Sequence, residues 1–159
     1  MASARWTSRR CSMTPPPGRS SAPICPRAEV DMATFFVMFS TDPDVDPRKC
    51  VVGLACAAQA VADGHQVQAF FASHAVRLLH ADYIDAIDAR VGMPDGSSRA
   101  MVERLAAGAN IACSTGSQAV VGVTPDTADD VLVGDLDLEW SGPPGVVAMS
   151  ANADTSLSF

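Results

Sequence analysis

The sequence has few basic residues for its acidic content. Eleven lysines and arginines stand against eighteen aspartates and glutamates, which gives a net charge of −7. The imbalance is uneven, because residues 1–31 carry +3 and residues 32–159 carry −10. Nucleic acids and anionic membranes are bound mainly through lysine and arginine. The acidic part of the chain therefore excludes nucleic acid and a membrane surface as principal partners.

Long apolar runs and paired cysteines are also missing. The longest candidate for a membrane span, residues 51–62, is too short and is interrupted by Gln59. The five cysteines are odd in number and form no CxxC pair, which argues against a disulfide framework. Free thiols are typical of a reducing compartment. We therefore expect a cytoplasmic protein without a membrane segment.

Motifs for metals and nucleotides are lacking as well. The three histidines form neither an i, i+4 pair nor a compact cluster with cysteine, so no metal site is predicted. Neither GxGxxG nor GxxxxGK[ST] occurs, so a nucleotide is not indicated. We expect no cofactor.

The beginning of the chain differs in composition from the rest. Residues 1–31 are rich in serine, proline and arginine and show no apolar periodicity, which predicts a disordered extension. An ordered pattern begins at Met32, which is an alternative start of translation. A chain of 159 residues supports one domain with a tail, so we expect a single domain over residues 32–159.

Strand-like and helix-like stretches alternate within that domain. The run TFFVMF at residues 34–39 is typical of a strand covered on both faces. Asp46 followed by Pro47 predicts the start of a helix, and Gly64 predicts its end. Further strands are predicted at residues 66–72, 110–113, 136–140 and 155–159. This alternation predicts an α/β fold, a three-layer sandwich with a mostly parallel sheet of about five strands.

Small polar residues follow three of the predicted strands, at Ser40 and Thr41, at His74, and at Ser114 and Thr115. Crossover handedness places these loops along the carboxyl edge of the sheet, where such folds usually bind ligands. The hydroxyl loops could bind a small anion through backbone N–H groups, although ordinary turn chemistry explains the same residues. His74 could hold a thiolate or shuttle a proton, or it could be a surface histidine.

Cys113 lies where a strand passes into a helix, in the stretch NIACSTGSQ. N–H groups at a helix start stabilise negative charge, which predicts an acidic and reactive thiol. Such a thiolate could carry sulfur as a persulfide. The alternative is a small, half-buried apolar residue at a strand end. Cys50 and Cys56 lie within a predicted helix, where we expect both to serve packing.

The order of these elements resembles the DsrE/DsrF-like family, small α/β proteins that include sulfur-relay subunits. The resemblance covers residues 33–159 and depends on three segments, ADGHQVQAFFASHAVRLL, GANIACS and ANADTSLSF. It implies that Cys113 holds the place of the persulfide-bearing cysteine, in a homo-oligomer that exchanges sulfur with a donor or acceptor protein. The chain has Gly116 where many members have a second cysteine, and Val121–Gly122 where they have Arg–Gly.

Two functions are open at this point. The first is a sulfurtransferase-type persulfide relay on Cys113. The second is a non-enzymatic oligomeric α/β module that binds a small ligand or a protein partner at the carboxyl edge. A thiol that reacts at mildly acidic pH would favour the first, and a thiol that reacts only above its ordinary pKa would favour the second.

Acidic residues are concentrated late in the chain. They are most simply a solvated acidic face, with a basic partner as the alternative. The residues concerned are Asp129, Asp130, Asp135, Asp137 and Glu139.

Overall fold

A computed structural model of the chain describes residues 31–134 and 136–159. The disordered extension predicted for residues 1–31 lies outside these ranges, apart from Asp31. Five strands alternate with helices across the described part.

The strands are β1 (Thr34–Phe39), β2 (Gln66–Phe71), β3 (Ala109–Ser114), β4 (Leu138–Ser141) and β5 (Thr155–Ser158). The α-helices are α1 (Pro47–Ala62), α2 (Ala81–Val91), α3 (Ser97–Gly108), α4 (Thr115–Val120), α5 (Ala128–Val131) and α6 (Pro143–Ala151). Short 3-10 helices cover Ser73–Leu79 and Pro125–Thr127.

The strands form one sheet in the order β4-β3-β2-β1-β5, and every neighbouring pair is parallel. The register aligns Phe39 with Phe71 and Phe71 with Cys113, so β1, β2 and β3 end level at one edge. The predicted α/β fold with a mostly parallel sheet is confirmed, and the sheet is wholly parallel.

Helix α1 begins and ends as the sequence predicts. The Asp46 side chain accepts a hydrogen bond from the Lys49 N–H at 3.0 Å, and Pro47 occupies the first turn, where its missing N–H costs nothing. Gly64, with φ of 86°, follows the end of the helix and turns the chain toward β2.

The two faces of the sheet are covered unequally. Alternate residues of the central strands, such as Val37, Phe71 and Ile111, join the large core beneath α1, α2 and α3. The intervening residues form a smaller cluster with Met149 of α6. This is the three-layer arrangement expected, with one helix layer much larger than the other.

Candidate functional site

The carboxyl edge of the sheet brings together the segments that follow β1, β2 and β3. Because β2 lies between β1 and β3 in the sheet, the loops after β1 and β3 are not direct neighbours. The segment after β2 meets both of them instead. The Ser73 N–H donates to Ser117 Oγ at 2.9 Å, and His74 Nδ1 lies 3.4 Å from Asp42 Oδ2.

These contacts enclose a small pocket. Its volume is about 180 Å³, and Ser73, His74, Ser117 and Val120 line it. Val120 is an apolar side chain with 78% of its surface exposed, so its methyl groups stand at the mouth of the pocket. Ser73 has φ of 53°, in the left-handed region that residues other than glycine rarely adopt. Strain of this kind is concentrated at functional positions.

Asp42 is held in place by its own loop. Its Oδ1 accepts the Asp44 N–H at 2.9 Å, and its carbonyl accepts the N–H groups of Val45 and Asp46 at 3.0 Å each. The carboxylate therefore keeps one oxygen directed at His74. The His74 Nδ1 to Asp42 Oδ2 distance is long for a hydrogen bond but short enough for an ion pair when the imidazole is protonated.

A second carboxylate fastens this loop to the helices beneath it. Asp44 accepts hydrogen bonds from Tyr83 Oη at 2.7 Å, from Arg90 at 2.8 Å and from Arg77 at 2.5 Å. The hydrogen bonds from Tyr83 and then Arg90 hold the pKa of the Asp44 carboxyl below its usual value. Burial, followed by the hydrogen bond to Asp44, raises the pKa of Tyr83 to about 12. The loop that carries Asp42 thus has a fixed position.

The hydroxyl residues predicted to bind an anion have other partners. The N–H groups of Ser40 and Thr41 both donate to the Phe159 carbonyl, at 2.8 and 3.1 Å. Ser114 caps α4 by accepting the Ser117 N–H at 3.2 Å, and Thr115 Oγ1 donates to the Ser141 carbonyl at 3.1 Å. Of the binding residues predicted from the sequence, His74 is the one that lines the pocket.

Cys113 lies inside the main core rather than at the edge surface. Its side chain is fully buried, with 0% exposure, because it shares the helix-covered face of β3 with Ile111. The Ser117 N–H at the start of α4 is donated to the Ser114 hydroxyl, and α4 has only six residues. The acidic thiol expected from the sequence is therefore wrong: burial raises the pKa of Cys113 to about 12, against a smaller opposing effect of the Gln118 side chain. The sulfur-carrying role of Cys113 stays a prediction.

Gln118 is a polar side chain with no exposed surface. Its Oε1 lies 3.0 Å from His80 Nε2. The Gln118 side chain is near enough to Cys113 to lower the pKa of the thiol, but its Nε2 forms no hydrogen bond of acceptable geometry with the described residues. A buried amide hydrogen without an acceptor is costly.

The remaining cysteines differ in their surroundings. Cys50 is buried and donates its Sγ–H to the Thr41 carbonyl at 3.5 Å, and burial raises its pKa to about 11. Cys56 is exposed, so the packing role expected for it is wrong. The apolar stripe of α1 includes residues on either side of Cys56, but the helix turns that position toward solvent.

Two features are absent from the described residues. No three side chains of the types His, Cys, Asp and Glu come together there in a way that could hold a metal ion. In residues 31–134 and 136–159, no helix has the length and apolarity needed to cross a bilayer.

Sequence reasoning missed most of the pocket. Nothing in the sequence marks Ser73, Ser117 or Val120 as a ligand-binding residue. A sequence cannot show that a serine adopts a left-handed backbone, since that conformation is usually occupied by glycine. The Asp42–His74 pair also has no sequence signature, because the crossover through α1 brings together residues that are far apart in the chain.

Comparison with known protein families finds no match for the chain, and no curated protein matches it either. Among solved structures, the YchN protein of Escherichia coli, which has a DsrE-like fold, is similar to it. The two are 16% identical with a TM-score of 0.58, and the match covers 80% of this chain and 100% of YchN. At this level of identity the similarity establishes a DsrE-like fold and nothing finer.

Proposed function

We propose that this DsrE-like chain is a non-enzymatic module that binds a small polar ligand at the carboxyl edge of its sheet. The observation that carries the proposal is the pocket itself, which His74 and Ser117 both line. Open α/β sheets bind ligands at this edge. Burial of Cys113, with its raised pKa, removes the main support for a reactive thiol.

The lining of the pocket indicates the chemistry of its ligand. The imidazole and the hydroxyl groups can donate hydrogen bonds, and Val120 offers methyl groups at the mouth. The Asp42 carboxylate lies beside Nδ1 of the His74 ring. The other ring nitrogen, Nε2, does not have Asp42 as a partner. A volume of about 180 Å³ admits only a few heavy atoms. We therefore assign a small ligand with an anionic or hydrogen-bond-accepting head, such as a short carboxylate.

An NMR titration tests this site. Phosphate, sulfate, acetate and butyrate are added to the ¹⁵N-labelled full chain, and amide shifts of Ser73 and Ser117 are followed. We expect saturable shifts with at least one of these anions, and a loss of roughly tenfold in affinity for His74→Gln, since a hydrogen bond to a charged group is removed. The control is His65→Gln, because His65 lies at the opposite end of β2. Absence of saturable shifts, or equal affinity of His74→Gln and the unchanged chain, would refute the site.

Sulfur transfer on Cys113 is the second candidate. It is favoured by the DsrE-like fold and by the nearby Gln118 side chain, whose Nε2 has no hydrogen-bond partner among the described residues. That amide could donate to a sulfur atom added to the thiol. In this case local opening would expose the thiol, and its thiolate would attack the outer sulfur of a persulfide on a donor protein, whose own thiolate leaves. The thiolate of an acceptor protein would take the sulfur from Cys113 in the same way and release the Cys113 thiolate.

Intact-mass measurement after incubation with a sulfur donor tests the second candidate. The unchanged chain should gain the mass of one sulfur atom, and Cys113→Ser should gain none. Cys50→Ser and Cys56→Ser are the matched controls and should keep the gain. If the gain survives Cys113→Ser, or never occurs, sulfur carriage fails. Because Cys113 is fully buried, the Cys113→Ser substitution lowers the free energy of unfolding by about 1–3 kcal/mol. The folding of this variant is therefore measured as well.

Assembly and compartment belong to the same proposal. Helix α6 contains mainly apolar residues around its whole circumference, and Val147 leaves 67% of its surface exposed. An exposed apolar helix face favours contact between copies, so we propose a homo-oligomer. The three free cysteines among the described residues fit a reducing compartment, which we take to be the cytoplasm.

A further inference from the structure

A groove of about 480 Å³ lies beside β4 and shares no lining residue with the pocket at His74. Its apolar lining includes Leu136, Leu138 and Trp140, which also pack against the main core. The base of the groove is fixed, because Val133 is buried and its N–H donates to the Leu79 carbonyl at 2.8 Å. The groove is therefore a defined feature of the surface, and the Trp140 indole forms part of its wall.

The strand beside this groove is at the edge of the sheet. β4 pairs with β3 on one side, and no described strand pairs with its other side. A free edge presents unpaired N–H and C=O groups, which can hydrogen-bond to an added strand. An extended peptide that paired there would direct every second side chain toward the groove.

The charges around the groove decide what could bind. Asp129 and Asp137 line it, both are exposed, and neither forms an ion pair within the described residues. Residues 105–159 contain seven acidic residues and no lysine, arginine or histidine. Two copies of this edge placed against each other would therefore bring acidic residues together. A segment rich in lysine or arginine would instead be attracted to the acidic residues at this edge.

We propose that β4 accepts an extended, basic segment of a partner protein. The segment pairs with the free edge as an additional parallel or antiparallel strand and inserts apolar side chains into the groove. Its lysine or arginine side chains meet the acidic rim that includes Asp129 and Asp137. This interaction is separate from the ligand pocket and does not depend on it.

Fluorescence anisotropy with a labelled peptide tests the proposal on the full chain. The probe is K-V-K-V-K-V-K, and its acidic counterpart is E-V-E-V-E-V-E. We expect saturable binding of the basic probe alone. Asp129→Asn with Asp137→Asn should weaken it roughly threefold to tenfold, the range expected for two exposed ion pairs. The control, Asp95→Asn with Glu103→Gln, makes the same charge change elsewhere and should stay within about twofold of the unchanged chain.

A second probe tests strand pairing without altering the protein. N-methylation of alternate residues of K-V-K-V-K-V-K removes backbone donors but keeps all charges and side chains, and should weaken binding roughly tenfold or more. Equal binding of the N-methylated and the unmodified probe would overturn strand addition. Equal weakening of binding by Asp129→Asn with Asp137→Asn and by Asp95→Asn with Glu103→Gln would show charge attraction that is not confined to the groove, which also overturns the proposal. A changed oligomer mass for Asp129→Asn with Asp137→Asn would assign the groove to a second copy and overturn the proposal. His74→Gln should bind the basic probe normally, which separates this test from that of the ligand pocket.

Discussion

Cysteine alkylation provides a direct test of how the site is built. The structure raises the pKa of the Cys113 thiol from its ordinary value of 9.0 to about 12 through burial. At pH 8 this rise of about three units in the pKa lowers the thiolate fraction by on the order of a thousandfold. Because the thiolate is the nucleophile, the alkylation rate falls with the thiolate fraction. The absence of exposed surface slows it further.

Cys56 supplies the reference within the same chain, since its side chain is exposed. The native protein is pulsed with iodoacetamide, then unfolded, and the remaining thiols are labelled with its deuterated form. Mass spectrometry of the cysteine peptides gives each rate separately. We expect Cys56 to react first and Cys113 far more slowly, because Cys113 is buried and burial raises the pKa of its thiol. In denaturant the two should react at similar rates.

The result that would refute this reasoning is a native Cys113 rate within tenfold of the Cys56 rate at pH 8. Such a thiol would be accessible and acidic, and sulfur transfer would become the leading function. The raised pKa also has a consequence for stability. Its contribution is fully present below pH 9 and is lost as pH rises toward 12, so Cys113→Ala should make unfolding less sensitive to alkaline pH.

Three further measurements test other parts of the structure. Because the pKa of Asp44 is lowered, its carboxylate contributes stability above pH 3.8, its ordinary pKa, and this stability is lost as the pH falls below that value. The free energy of unfolding in urea should therefore decrease less at acidic pH for Asp44→Asn than for the unchanged chain. An equal loss of unfolding free energy at acidic pH for Asp44→Asn and the unchanged chain would contradict the contact between Asp44 and Tyr83. Gly53→Ala would place a Cβ 2.7 Å from the Phe159 ring and should cost about 1–3 kcal/mol of unfolding free energy. Gly116→Ala, which meets open space, is its control, and equal stabilities of the two would disagree with this packing. Light scattering should give a dimer, trimer or hexamer, and a monomer mass at micromolar concentration would exclude the assembly.

Much of the fold could be predicted because local signals agreed with one another. The run at Thr34–Phe39 and the Asp46–Pro47 helix start place β1 and α1 to within a residue or two. Boundaries were poorer where polar residues alternate, since β4 was expected from Leu136 but begins at Leu138. That segment has a free edge, so fewer contacts define where the strand starts.

The site could not be predicted to the same extent. In β3 the residues Ile111, Ala112 and Cys113 are all apolar, so no alternation shows which face the thiol occupies. The sheet register settles this and buries Cys113. The pocket depends on how His74 and Asp42 meet across a crossover, and that is a property of the whole fold.

The position of β5 has a consequence for how the chain folds during synthesis. β5 pairs with β1, and Thr34 donates its N–H to Asp154, 120 residues later in the chain. Until the ribosome has released residues 155–158, one edge of β1 has no partner. The exposed segment would be TFFVMF, which is apolar, rich in β-forming residues and without charge, a composition prone to intermolecular pairing. Chains stalled or truncated before Thr155 should therefore aggregate, and chaperone binding to nascent chains should persist until β5 emerges.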